Sequence, residues 1–276
     1  MSRPNLPDFT HPPVHEVVLS IQFQPLSELR AIHLGSLWER FGKKTFTSVE
    51  EQPPMPKTFE RFGAGRQLVV PQFEILNMAP LQRFVFISAT GTEVVQLQKD
   101  RFSFNWRKRS ASDVYPRYES IEAQFVSFEA TFEEFLKEER LGIVKIEQAE
   151  VTYVNQIPAA ELGNRAEKVI SILSGNYTDS HLRDPEEVRL SLTFPMLRDK
   201  TPYGRLHVEA FRSTQSDAPA LNLALLARGK PFGTDINAAT EFFREGRAFI
   251  VKGFASITSK EMHKIWGRTD DTSSHA

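Results

Sequence analysis

Between Arg83 and Arg107 the chain carries three consecutive runs of alternating character, and no other feature narrows its folding choices as much. Phe102, Phe104 and Trp106 alternate with Arg101, Ser103, Asn105 and Arg107, and Val95 and Leu97 alternate with Val94, Gln96 and Gln98. A period of two sends one set of side chains to a core and the other to the opposite face. Thr90-Gly91 and Lys99-Asp100 punctuate the runs as turns. The stretch is therefore expected as an antiparallel meander of Arg83–Ala89, Glu93–Gln98 and Arg101–Arg107. Its apolar face needs a helical cover.

The flanking sequence supplies that cover. Residues 1–13 hold four prolines and read as an extended N-terminal arm. From His15, Val17, Leu19, Ile21 and Phe23 share one strand face until Pro25, and Ser27 caps a helix predicted to run to about Phe41. Residues 48–80 are rich in Pro and Gly and read as loop, with one short strand at Gln67–Val70; so long an irregular stretch suggests an arm, a lid or an oligomer contact. A long helix is predicted over about Arg117 to Glu139, with Ile121, Phe125, Phe128, Phe132 and Phe135 as its apolar stripe, stopped by Gly142.

The second half follows the same order. A strand is expected over Ile143–Asn155 and a short helix over Arg165–Leu173. Three strands follow, Val188–Met196, Gly204–Phe211 and Ala220–Ala227, and then a long helix from Ile236 to Ala255. Thr258 and Glu261 suit a capping box for a last short helix. The expected fold class is thus α+β: two β-α-β-β-β-α units, 14–142 and 143–268, forming antiparallel sheet covered by helices on one face and related by a pseudo-twofold, with a frayed tail at 269–276. A continuous curved sheet of this kind, helices outside and polar face inside, is broadly the layout of TATA-binding-protein-like folds and helix-grip ligand binders; the analogy concerns fold and carries no function.

Composition removes several function classes. Lys and Arg number 34 against 35 Asp and Glu, so the chain lacks the global positive field of a polybasic nucleic-acid binder. With no cysteine, disulfides, thiol nucleophiles and Cys-zinc sites are excluded. Of the seven His only His11 and His15 stand within four residues of each other, with Pro12 and Pro13 between them, so no helical metal clip is encoded, and no metal or cofactor is expected. Nucleophile-elbow and phosphate-loop signatures are absent, and Gly63-Ala64-Gly65 lacks the setting of a dinucleotide fingerprint. No apolar run nears the roughly 20 residues of a membrane span, and residues 1–13 do not read as a signal peptide, so the cytoplasm is the expected compartment. The 22 phenylalanines, against 3 Trp and 5 Tyr, suit a wide core between sheet and helices; Phe102, Phe104, Phe125, Phe128, Phe132, Phe249 and Phe254 are expected to be buried.

Candidate binding residues come from the polar strand faces and one sheet edge. Alternation gives Gln22, Gln24, Gln96, Gln98, Arg101, Ser103, Asn105 and Arg107 in the first half, and Arg189, Ser191, Thr193, Arg205, His207, Glu209 and Asn222 in the second. Amides, hydroxyls and guanidinium forks suit a polar or anionic partner, although a solvated or dimer-covered face has the same composition. The first choice is Arg101, Asn105, Arg107, Arg117 and Tyr118, expected as a hydrogen-bonded cluster at one end of the first-half sheet, with internal pairing to Asp100, Asp113 or Glu119 as the alternative. Gln96, Gln98, Arg189, Arg205 and His207 are secondary candidates. His207-Val208-Glu209 also offers half of an acid–base pair.

The stretches His11–Phe23, Gly35-Ser-Leu-Trp38, Val95–Lys108 and Tyr115-Pro-Arg-Tyr118 resemble a sporadically distributed family of bacterial proteins of unestablished function, over most of the chain to Ile265-Trp266-Gly267. The resemblance implies an accessory bacterial role and brings no catalytic residues. The resulting expectation is a non-enzymatic binding protein that holds a protein or nucleic-acid partner through the polar face or the basic-aromatic edge. A small-ligand binder with a cavity under the helices, and an enzyme on a phosphodiester or nucleotide, are the alternatives; a second copy of the chain is a further candidate partner.

Overall fold

The structure, a computed structural model, describes residues 6–63, 82–158, 161, 169–171, 187–213 and 220–269. The strands are β1 (Val14–Phe23), β2 (Phe46–Gln52), β3 (Arg83–Ser88), β4 (Glu93–Gln98), β5 (Arg101–Arg107), β6 (Ile146–Pro158), β7 (Glu187–Arg198), β8 (Thr201–Ser213) and β9 (Ala220–Gly229). They form one antiparallel sheet in the order β2-β3-β4-β5-β1-β6-β9-β8-β7. The described helices are α1 (Ala31–Phe41), α2 (Tyr118–Glu138), α3 (Ile236–Ile257) and α4 (Lys260–Ile265). The α+β class and the antiparallel sheet match the sequence reading.

The apolar stripes dictate how helices meet sheet. α2 packs on β5 and β1, and α3 on β6, β9 and β8. Phe102 of β5 stacks on Phe132 at 5.6 Å and meets Phe125 edge-on, and Phe125 meets Phe243 of α3 at 5.1 Å. The core is thus continuous across both halves. Gly246 brings α3 close to the sheet: a Cβ there would lie 3.1 Å from Ala227 and 3.4 Å from Val151. The arm closes the far end, where Phe9 packs on Phe254 and Trp266 and Thr10 N–H donates to Gly267 O at 2.9 Å.

Several expectations need correction. Residues 46–52 form β2, so the first half reads β-α-β-β-β-β-α. This edge strand hides little, which erases its alternation; Trp38 Nε1 anchors it through Phe46 O at 2.7 Å, and Pro53-Pro54 end it. Phe249 is 36 % exposed, because it sits roughly a quarter turn from the centre of the Phe243–Ile250–Phe254 stripe. Phe128 is half-buried, lying against Phe41, Phe46 and Phe104. The β3–β4 turn takes in Ala89–Thr92 rather than Thr90-Gly91 alone. The last helix is capped by Ser259, whose side chain accepts from Met262 N–H, rather than by Thr258. The strand at Gln67–Val70 and the tail beyond residue 269 lie outside the described residues, as does the helix at 165–173 apart from residues 169–171.

Candidate functional site

The antiparallel register brings polar side chains from six strands into one transverse row on the face away from the helices. Gln98 of β4 stands opposite Arg101 of β5, and Arg101 opposite Gln22 of β1. Gln22 stands opposite Gln148 of β6, whose same-face neighbour Glu150 stands opposite Arg228 of β9, which in turn faces Arg205 of β8. Each strand contributes its polar alternate, so the row follows from pleat and register together.

A segment of the chain lies along this row. β2 and β3 are paired neighbours, with Gln52 opposite Arg83, and a hairpin between them needs only a few residues. Instead the chain leaves β2 and crosses the sheet as residues 53–63. Pro53, Pro54 and Pro56 lack an N–H and favour extended backbone, so this strap cannot continue the ladder. Met55 N–H donates to Gln98 Oε1, and Gln98 Nε2 donates back to Met55 O, both at 2.9 Å. Gln22 does the same at Thr58, accepting at 3.3 Å and donating to its carbonyl at 3.1 Å. Gln148 Oε1 accepts from Glu60 N–H at 2.9 Å while its Nε2 donates to Thr58 O. From β4 to β9 is four strand spacings, roughly 19 Å, and five extended residues from Met55 reach about 17 Å, so chain and row are matched in length.

Two ionic centres flank the carboxamides. Glu150 accepts from Arg101 Nη1 at 2.8 Å and Gln22 Nε2 at 2.6 Å, and both charged side chains are buried. At the far end Glu60, its side chain 5 % exposed, receives Arg205, His207 Nε2 at 2.7 Å and Arg228 Nε at 2.9 Å. Burial alone would raise the Glu60 carboxyl, but the bonds from His207, Arg205 and Arg228 together outweigh it and hold it down at about 2.

The first-choice cluster of Arg101, Asn105, Arg107, Arg117 and Tyr118 does not assemble: among the described residues no hydrogen bond joins any two of the five. Arg101 belongs to the Glu150 centre. Asn105 sits in a polar ladder in which Arg83 donates to Gln96 at 2.9 Å, Gln96 to Asn105 at 3.1 Å, and Asn105 to Glu16 at 2.8 Å. Arg107 Nε donates to Gly91 O at 3.0 Å. Arg117 is drawn to the arm, at 3.0 Å from Asp8 Oδ1, and Tyr118 is buried beneath Arg247. The reason is directional. Residues 101, 105 and 107 point off the polar face, whereas the start of α2 lies on the helix side. The internal acidic partners of Arg101, Asn105 and Arg117 are Glu150, Glu16 and Asp8.

Of the secondary candidates, Gln98, Arg205 and His207 hold the strap, Gln96 sits in the ladder, and Arg189 pairs with Glu187 on edge strand β7. The basic-aromatic edge lines an open cleft of about 860 Å³ with His15, Lys108, Arg109, Tyr115 and Arg117. Sequence reading passed over Gln148, Glu150, Arg228 and Glu60. The first two alternate with Ala149 and Val151 and were legible as a polar face; Arg228 stands one residue past the expected strand end; Glu60 lies in a stretch without period. Among the described residues no group of His, Asp or Glu is placed to hold a metal ion, and no helix is long and apolar enough to cross a membrane. Comparison with protein-family models, with curated proteins and with solved structures found no match to this chain.

Proposed function

We propose that this chain is a non-enzymatic polypeptide-binding protein, and that its polar sheet face holds an extended segment of a protein partner where its own strap now lies. The observation that carries this reading is the set of paired bonds from Gln98, Gln22 and Gln148 to the backbone of residues 55–60. A carboxamide that donates and accepts at once is complementary to an extended backbone, whose residues each present one N–H and one C=O, and not to a phosphodiester, which presents acceptors alone. The face also mixes acids with its bases, Glu16 and Glu150 beside Arg83 and Arg101, which disfavours a polyanion. Under α2 the phenylalanine rings fill the space that a helix-grip ligand would need, and the pocket between α3 and the sheet, beside Tyr153, Leu225 and Phe254, holds about 70 Å³, well below the size of a ligand cavity.

The two halves are further read as one duplicated unit. Outward from the centre the strands run β1-β5-β4-β3 on one side and β6-β9-β8-β7 on the other, with β2 as an addition to the first. A pseudo-twofold between β1 and β6 would make the binding row a composite of two similar halves. An accessory bacterial role is the accompanying proposal, resting on the resemblance alone.

The test is fluorescence anisotropy with a labelled peptide of the sequence of residues 53–63. The host is the full chain with that segment replaced by Gly/Ser of equal length, its fold checked by circular dichroism. Binding in the range of 1–100 μM, roughly −8 to −5.5 kcal/mol, is expected. No binding by a folded host overturns the reading, as does salt-sensitive binding of mixed single-stranded oligonucleotide in place of the peptide.

A further inference from the structure

Resting on that reading, we propose that the Arg205–His207–Arg228 cage is the specificity pocket of the peptide face, made for the side-chain carboxylate of an acidic residue in the partner, and that Glu60 is an internal competitor occupying it. The cage is built by the sheet rather than by the strap. Arg205 and His207 are same-face alternates of β8, Arg228 stands opposite Arg205 on β9, and Thr193 of β7 lies 3.4 Å from His207 Nδ1. These three donors converge on one carboxylate from two adjacent strands. Among the described residues Glu60 is the only acid paired with any of them. The neighbouring Glu150 is already engaged by Arg101 and Gln22.

The strap, by contrast, is held by its backbone bonds and by Lys57, whose Nζ donates to Phe23 O at 3.1 Å. Phe59 and Arg61 on either side of Glu60 are exposed, and Arg205 also donates to Arg61 O at 2.9 Å and stacks on Phe62 at 4.4 Å. Its backbone bonds are of a kind that any extended peptide reproduces. What distinguishes one occupant from another is therefore chiefly the anion at the position of Glu60, where a preorganised guanidinium and imidazole set is left without its acid when the strap lifts, since Lys57 meets Asp100 and Glu147 only at 3.7 and 3.6 Å. A tethered segment competes at an effective concentration of the order of millimolar, so the intact chain is self-blocked against weaker peptides.

The experiment uses the full chain, wild type and Glu60→Gln, with two labelled probes: the peptide of residues 53–63 and the same peptide carrying Gln at the position of Glu60. Wild type is expected to bind neither probe below about 100 μM, given the tethered competitor. Glu60→Gln is expected to bind the acidic probe at least 10-fold more tightly than wild type does, and at least 10-fold more tightly than it binds the neutral probe. Adding Arg228→Gln should abolish that preference. The Gly/Ser-strap chain provides a second host in which the same preference must appear. Equal binding of the two probes in both hosts overturns the carboxylate pocket while leaving the peptide face standing. Failure of both probes in both folded hosts overturns the peptide face itself.

Discussion

Replacing Glu150 by alanine is expected to lower the unfolding free energy by about 3–5 kcal/mol, the range for breaking a buried ion pair from one side. Arg101 is 6 % exposed and Glu150 8 % exposed, and the guanidinium donates to the carboxylate at 2.8 Å. Without Glu150 the buried charge of Arg101 is left near a second guanidinium, Arg83, which burial and Arg101 already press toward a lower pKa. Gln22 loses one of its two acceptors at the same stroke, keeping its bonds to Thr58. Urea unfolding reads the loss directly. A change below about 1 kcal/mol would mean that the pair is solvated like a surface bridge. The double variant Glu150→Leu/Arg101→Leu should recover much of the stability, since removing both charges removes the desolvation cost.

The opposite sign is expected at Glu129. This residue of α2 is 1 % exposed and its Oε1 has no hydrogen-bond partner. Burial, with Glu133 adding repulsion, pushes its carboxyl up to about 8. A carboxyl raised in the folded state carries no penalty below its unfolded value near 4.5. Its cost grows as pH rises from there and is complete above about 8. Glu129→Gln should therefore stabilise the protein by about 2–4 kcal/mol at pH 9, with the advantage fading toward pH 4. Thermal unfolding of both proteins across that range checks it; a pH-independent difference would assign the effect to packing.

These two acids also mark where sequence reading reaches its limit. Alternation in β1, β4, β5 and β8 placed Gln22, Gln98, Arg101, Arg205 and His207 on one face, because the pleat is a local property. Which of them share a row depends on register between strands far apart in sequence, such as Gln22 against Gln148, and that no local pattern encodes. The stripe Phe125–Phe132–Phe135 was legible for the same local reason, while the burial of Glu129 at its margin follows only from how α2 sits on the sheet. The strap was least legible. Its prolines announce an extended chain, and only the tertiary fold shows that the extended chain crosses six strands and ends with Glu60 in a cage. The pairing of Arg117 with Asp8 was not legible either, because the arm that carries Asp8 reaches the start of α2 only in the folded chain.

The central claim, that the sheet face grips a polypeptide by its backbone through glutamine carboxamides, is tested most directly by amide hydrogen exchange along the strap of the full chain. Met55, Thr58 and Glu60 should be protected at least about 100-fold over free-peptide rates. Lys57 and Phe59, whose amides meet no acceptor among the described residues, should exchange near those rates. In Gln148→Ala, protection at Glu60 should fall while Met55, held by Gln98, stays protected. Uniformly fast exchange across residues 55–60, or protection at Glu60 unchanged by Gln148→Ala, would contradict the claim.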